Sequence, residues 1–231
     1  MEGLTNAEYH GVGPVSLYDI FSVRVLGKRM LRTFLLSAAT SLLFAAQAFA
    51  GELVIRVTTP DGKPLPDAVV LIAARPGDPK PAPADGLRMA QTSKQFAPFV
   101  LIAPVGSTVE FPNLDKFRHH VYSFSKGNKF ELELYGREEK RVITFKTAGV
   151  AALGCNIHDQ MVAFIRVVDT PWAAKSGPDG VARLTVAPEG SRPLEVWHPY
   201  ATAKDQTITQ TLSVSAGTTT VTVVLDIAPP R

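Results

Sequence analysis

The chain has 231 residues, 45% hydrophobic and 19% charged, enough apolar material for one large or two small cores and not the composition of a disordered chain. Its formal net charge of +3 at pH 7 falls to +2 over residues 51–231, too slight a basic excess to mark a nucleic-acid partner. It has one cysteine, so an internal disulfide is excluded.

In chain order, Lys28, Arg29 and Arg32 precede an apolar run from Thr33 to Phe49 that ends in Ala48-Phe49-Ala50, the pattern of a cleavable export signal. The run contains Ser37, Thr40, Ser41 and Gln47 and falls short of the ~20 apolar residues that a membrane span needs, so cleavage after Ala50 is expected and no stable anchor. Residues 1–29 lack any pattern, and Met30 would be a natural start for such a signal. Export would put residues 51–231 in the periplasm, an oxidising compartment where a lone thiol survives by metal ligation or deep burial.

Leu53, Ile55 and Val57 alternate with Val54, Arg56 and Thr58, a turn follows at Pro60–Pro64, and Ala68–Ala73 continues as an apolar run, which predicts two strands. Residues 75–87 hold four prolines and two glycines and read as a linker, because proline cannot donate to a ladder. Further strands are predicted at Phe99–Ile102, Thr108–Phe111, His120–Phe124, Lys129–Tyr135, Arg141–Thr147 and Val162–Val168, with a loop from Asn113 to Arg118. After Asp169 the pattern changes to a turn and four short strands. A two-strand unit at 51–74 cannot bury its apolar face alone, and neither can the tail. The expected organisation is therefore a leader at 1–50, strands of one sandwich at 51–74 and 170–231, a linker at 75–87, and an inserted unit at 88–169.

The chemistry concentrates in Cys155-Asn156-Ile157-His158-Asp159-Gln160-Met161, which places a thiol, an imidazole and a thioether within seven residues. Upstream, His119 and His120 offer a second imidazole. After residue 50 there are four histidines, three of them in these two segments, and two methionines, Met89 and Met161. Two imidazoles, a thiolate and a weak axial thioether suit one copper ion, because the sulfur ligands stabilise Cu(I) while the imidazoles keep Cu(II) accessible. Structural zinc takes no thioether. The competing reading is a metal-free core in which the cysteine is a small buried hydrophobe, and the clustering of scarce ligand types weighs against it. Adjacent strand residues point to opposite faces, so one of His119 and His120 would face the metal; with His120, Tyr122 and Phe124 would share its face.

The spacing C-x2-H-x2-M, with a histidine on an earlier strand, resembles the cupredoxins and lies nearest to amicyanin. Val109-Glu110-Phe111-Pro112-Asn113-Leu114-Asp115, with His119 six positions after Asn113, is similar to that family's segment leading to its first copper histidine. The resemblance covers residues 88–169 and is of the kind found in methylamine-utilisation proteins. It implies a Greek-key sandwich, His119 rather than His120 as ligand beside Cys155, His158 and axial Met161, a bracing role for Asn113, and electron exchange through the His158 edge. Two positions depart from the pattern: His120 stands where the family has Asn, and Ile157 where amicyanin-like loops often have Pro. The segment from Val57 to Val70, with Asp61-Gly62, Pro64-Leu65 and Asp67-Ala68, resembles the opening of a carboxypeptidase-regulatory or prealbumin-like sandwich, and the stretch around Trp197 resembles its later strands.

The expected fold is thus all-β, a Greek-key cupredoxin sandwich inserted in or flanked by a second, prealbumin-like sandwich. The expected function is one-electron transfer between protein redox partners, a donor and an acceptor. A copper carrier or store, or a non-redox binding module, is the alternative. An enzyme is not expected, because four ligands would leave the metal no open position. There is no Gly-rich phosphate loop, no G-x-S-x-G elbow and no second histidine cluster. His198 reads as a structural or surface residue beside Trp197, Trp172 and Trp197 as core or interface, and Arg137–Arg141 as a solvated turn.

Overall fold

The structure, a computed structural model, describes residues 51–186, 190–215 and 217–229; the expected leader at 1–50 lies outside them. The described residues form strands β1 (Gly51–Thr58), β2 (Val69–Ile72), β3 (Leu87–Arg88), β4 (Ala90–Thr92), β5 (Gln95–Ala97), β6 (Val100–Pro104), β7 (Thr108–Glu110), β8 (His119–Ser123), β9 (Phe130–Tyr135), β10 (Val142–Thr144), β11 (Gly149–Leu153), β12 (Ala163–Val168), β13 (Ala173–Lys175), β14 (Val181–Val186), β15 (Gly190–Trp197), β16 (Thr207–Val214) and β17 (Thr218–Val224). The fold is all-β, relieved among the described residues by one 3-10 turn at Lys204–Gln206. No helix among the described residues is long and apolar enough to cross a membrane.

Alternation sets the first strand. Leu53, Ile55 and Val57 are fully buried while Glu52 and Arg56 are exposed, the period of two that a pleated strand with one covered face demands. β1 lies at the centre of a three-stranded sheet, antiparallel to β14 and parallel to β17. β2, buried along its whole length, sits in a sheet ordered β13-β2-β15-β16. Side chains from both sheets, among them Leu53, Ile55, Ile72, Leu184, Leu194 and Leu225, share one aliphatic core.

The middle of the chain builds a second core. One sheet runs β11-β12-β6; a bridge from Gly154 to Tyr122 joins it to β8, which pairs with β9. A further sheet runs β10-β7-β3. Val109 and Ile143 from the latter pack with Val121, Ala151, Leu153 and Ile165 from the former, and this same cluster takes in Cys155 and Met161. Val69, Val100, Phe164 and Trp197 form a third cluster where the two halves meet. Lys175 Nζ ties the same seam by donating to Asp67 at 2.6 Å and to the Val100 carbonyl at 3.0 Å. The proline-rich stretch is pinned as well: the Arg192 guanidinium donates to both carboxylate oxygens of Asp78 at 2.7 and 3.3 Å and holds that carboxyl below its ordinary range.

Several local expectations need correction. β11 was not among the expected strands, because Gly149, Ala151 and Ala152 have little strand preference of their own; its antiparallel register with β12, Gly149 opposite Val167 through Leu153 opposite Ala163, decides it. The strand expected over Arg141–Thr147 contracts to Val142–Thr144. After Asp169 there are five strands rather than four, the additional one being Ala173–Lys175, which pairs with β2.

Candidate metal centre

The loop that carries the thiol is a tight connection between neighbouring strands. Gly154, at the end of β11, exchanges two backbone hydrogen bonds with Tyr122, at 3.1 and 3.0 Å. A Cβ at Gly154 would stand 2.5 Å from the Tyr122 ring, so a glycine is required for the ring to lie over the strand here. Seven residues later the Met161 amide donates to the His158 carbonyl at 2.9 Å and turns the chain into β12. Cys155 and Met161 are both buried at the base of this loop, in one apolar cluster.

The imidazole of His119 reaches the same place from β8. It is fully buried, its Nδ1 lies 3.9 Å from Cys155 Sγ, and its Nε2 lies 2.8 Å from Asp115 Oδ2. With Nε2–H donated to the carboxylate, the ring takes the tautomer whose Nδ1 lone pair faces the thiol. Asp115 also accepts the backbone amides of Ser93 and Lys94, at 2.7 and 3.0 Å, from the turn between β4 and β5. Burial alone would push the Asp115 carboxyl up, but the hydrogen bonds from the Lys94 amide, His119 and the Ser93 amide together outweigh it and hold the group below the ordinary carboxylate range. Asp115 is thus a charged acceptor that fixes the ring's orientation.

Asn113 braces the loop leading to His119. Its Nδ2 donates to the carbonyls of Phe117 and Tyr135 at 2.8 and 3.0 Å, and its Oδ1 accepts the Asp115 amide at 2.9 Å. Tyr135 is buried beneath, its hydroxyl donating to the Phe111 carbonyl at 2.7 Å and accepting from Gln91. Burial pushes the phenol up to about 12, so it stays protonated.

His158 completes the group. Its ring centre is 5.2 Å from that of His119, and one ligating atom each from His119, Cys155 and His158 lie within 4.8 Å of one another. His158 Nδ1 is buried and, among the described residues, has no hydrogen-bond partner. A buried nitrogen left without a partner is costly, and a metal ion is one group that would satisfy it. Phe117 packs on both rings, its centre 5.0 Å from His119 and 5.7 Å from His158, while remaining exposed on its outer side.

His120 lies elsewhere. Its Nε2 is 3.0 Å from Glu131 Oε1 and its ring packs on Tyr122 at 5.7 Å. Both neighbouring histidines are buried, which a regular strand with one covered face would not allow; β8 and β9 are out of simple register between His119 and Val121, where His119 opposes Tyr135 but Val121 opposes Leu132. His198 is buried near the seam, its Nδ1 accepting the Tyr200 amide at 3.2 Å, and burial pushes its pKa down to about 4. Trp172 belongs to the aliphatic core and Trp197 to the seam, edge-on to Phe164 at 6.0 Å. The Arg137–Arg141 turn is more engaged than a solvated one: Arg118 and Arg141 both grip Glu139, and Arg137 donates to the Leu114 carbonyl.

Two contributors escaped the sequence reading. Asp115 carried a usable signal, a carboxylate four residues before the histidine it orients. Phe117 carried none, since an exposed aromatic in a loop has no distinctive spacing.

No protein-family model matches the chain, and no curated protein does. Among solved structures the chain is similar to a purple cupredoxin from Nitrosopumilus maritimus, at 21% identity over 36% of this chain and 99% of that one, with a TM-score of 0.32. It is also similar to a reduced mutant of amicyanin, at 22% identity over 43% of this chain and 98% of that one, with a TM-score of 0.34. A third similar structure is a Cu-containing nitrite reductase, NirK, from Thermus scotoductus SA-01, at 28% identity over 51% of this chain, with a TM-score of 0.35; the match spans 28% of the reductase. At these scores the likeness adds no weight of its own, and the centre rests on its side chains.

Proposed function

We propose that His119, Cys155 and His158, with Met161 as a weak fourth ligand, hold one copper ion, and that the protein carries single electrons between an exported donor and acceptor. The observation that carries this reading is the convergence of one thiol and two imidazoles, the thiol and His119 buried and His158 half-buried, with one imidazole fixed by a carboxylate on its far side and the other holding a buried nitrogen without a partner among the described residues. Copper bound there would supply a one-electron Cu(II)/Cu(I) couple, for which a mixed imidazole and sulfur donor set is suited.

The chain's own part is to keep the donors in place. Asp115 and Asn113 tie His119 to the β4–β5 turn and to Tyr135, and the Gly154–Tyr122 bridge fixes the approach to Cys155, so little has to rearrange when charge changes. Burial of Cys155 keeps water and oxidants from the sulfur. Exposed Phe117, Ile157 and Leu114 lie on the loops that carry His119 and His158, an apolar rim against which a partner could dock weakly while His158, half-buried, offers an edge. A periplasmic location belongs to the same proposal and follows from the signal-like run before Gly51.

The test is to load the purified chain with Cu(II) and record visible and EPR spectra beside voltammetry. An intense thiolate-to-copper charge-transfer band and a reversible couple are expected, with the band abolished in Cys155→Ala. Copper bound without that band, and surrendered to a competing acceptor instead of cycling, would favour a carrier.

A further inference from the structure

A cavity of about 250 Å³ opens beside Asn113 and Leu114 in the His119 loop, and its wall is rich in cations. Arg88, Arg137, Lys140 and Arg141 line it against two carboxylates, Glu110 and Glu139. The carboxylates do not neutralise the set. Glu139 is shared between Arg141 and Arg118, which lies outside the lining, and Arg88 stands 3.8 Å from Glu110 with both side chains largely in water, a contact of little energetic weight. Lys140 has no ionic partner among the described residues, and Arg137 turns Nε and one terminal nitrogen to a neutral carbonyl, that of Leu114. The Arg141 guanidinium lies 5.6 Å from the centre of the Tyr135 ring, which holds it in place.

We propose that this cavity binds a small divalent oxyanion of the phosphate or sulfate class. The lining carries a formal excess of two positive charges, and its guanidinium groups match oxyanion geometry through paired N–H donors. Leu114 forms part of the wall and Asn113 precedes it, so the bound anion would sit against the loop that carries His119. The proposal stands apart from the metal reading, because it concerns the metal-free chain as well.

The experiment is a titration of the metal-free, full-length protein with inorganic phosphate at an ionic strength held constant with sodium chloride, followed by calorimetry and amide NMR. Saturable one-to-one binding is expected, with the largest shifts at Leu114, Lys140 and Arg141. Lys140→Ala should weaken it at least fivefold, while Lys126→Ala, a lysine outside the cavity, should leave it unchanged. Absence of saturation, equal weakening in both variants, or shifts confined to other residues would overturn the proposal.

Discussion

The two cores of this protein use the same strand physics to different ends. Around Leu53, Ile55, Leu194 and Leu225 the interior is chiefly apolar: buried Ser176 serves the backbone, donating to the Leu65 carbonyl and accepting the Ala68 amide at 2.8 and 2.9 Å, and the ion pair of Asp67 with Lys175 is partly exposed. The other interior encloses Cys155, Met161 and Tyr135 and presses against fully or nearly fully buried Gln91, Asn113 and His119. Buried polar groups cost free energy unless each finds a partner, and here most are satisfied by a connected network that runs through Asp115 to the His119 ring and ends at the Cys155 thiol. An interior can thus be arranged for stability alone or for holding a few reactive atoms in fixed relation, and this chain does both in adjoining halves.

That contrast can be broken by emptying the aliphatic side. Leu194 is fully buried, and Leu194→Ala should cost about 2–5 kcal/mol through lost transfer energy and the remaining cavity. Denaturant unfolding would measure the loss, and the copper spectrum of the folded fraction should stay as in the unaltered protein. A changed spectrum would show that the two halves are coupled more tightly than their separate cores imply.

Acid probes the seam between them. Burial keeps His198 neutral down to about pH 4 in the folded protein, whereas an unfolded histidine takes up its proton near pH 6.5. Because the folded pKa is the lower one, the unfolded chain binds the proton first as pH falls; stability is full above pH 6.5 and declines through the window down to about 4, by on the order of 3 kcal/mol. His198→Gln should flatten that part of the profile, measured as the unfolding midpoint against pH.

The finest test sharpens the polar side. Removing the carboxylate that orients His119 leaves the ring without its acceptor, so Asp115→Ala should lower copper affinity by about 10- to 100-fold without abolishing binding. A competition titration against a chelator of known affinity would measure it, and an unchanged affinity would mean that packing by Phe117 suffices to hold the ring.

Much of the centre was legible in the sequence because its ligand types are scarce and closely spaced: Cys155, His158 and Met161 fall in one loop, and a histidine pair lies upstream. Which of the pair stands beside the sulfur depended on family resemblance, since regular alternation leaves His119 and His120 equivalent until the shift in pairing between β8 and β9 separates them. Alternation found β1 readily but missed β11, where Gly149 and two alanines are held as a strand by β12 and Gly154 by Tyr122. Which strands of the tail flank β1 could not be read, because parallel pairing with β17 joins segments more than 160 residues apart.

X-ray absorption at the copper edge of the loaded, full-length protein tests the central claim most directly. The account predicts one sulfur at thiolate distance and two imidazole nitrogens, a shell that persists in His120→Ala and loses an imidazole in His119→Ala. A shell of nitrogen and oxygen without sulfur, or one altered by His120→Ala and untouched by His119→Ala, would contradict it.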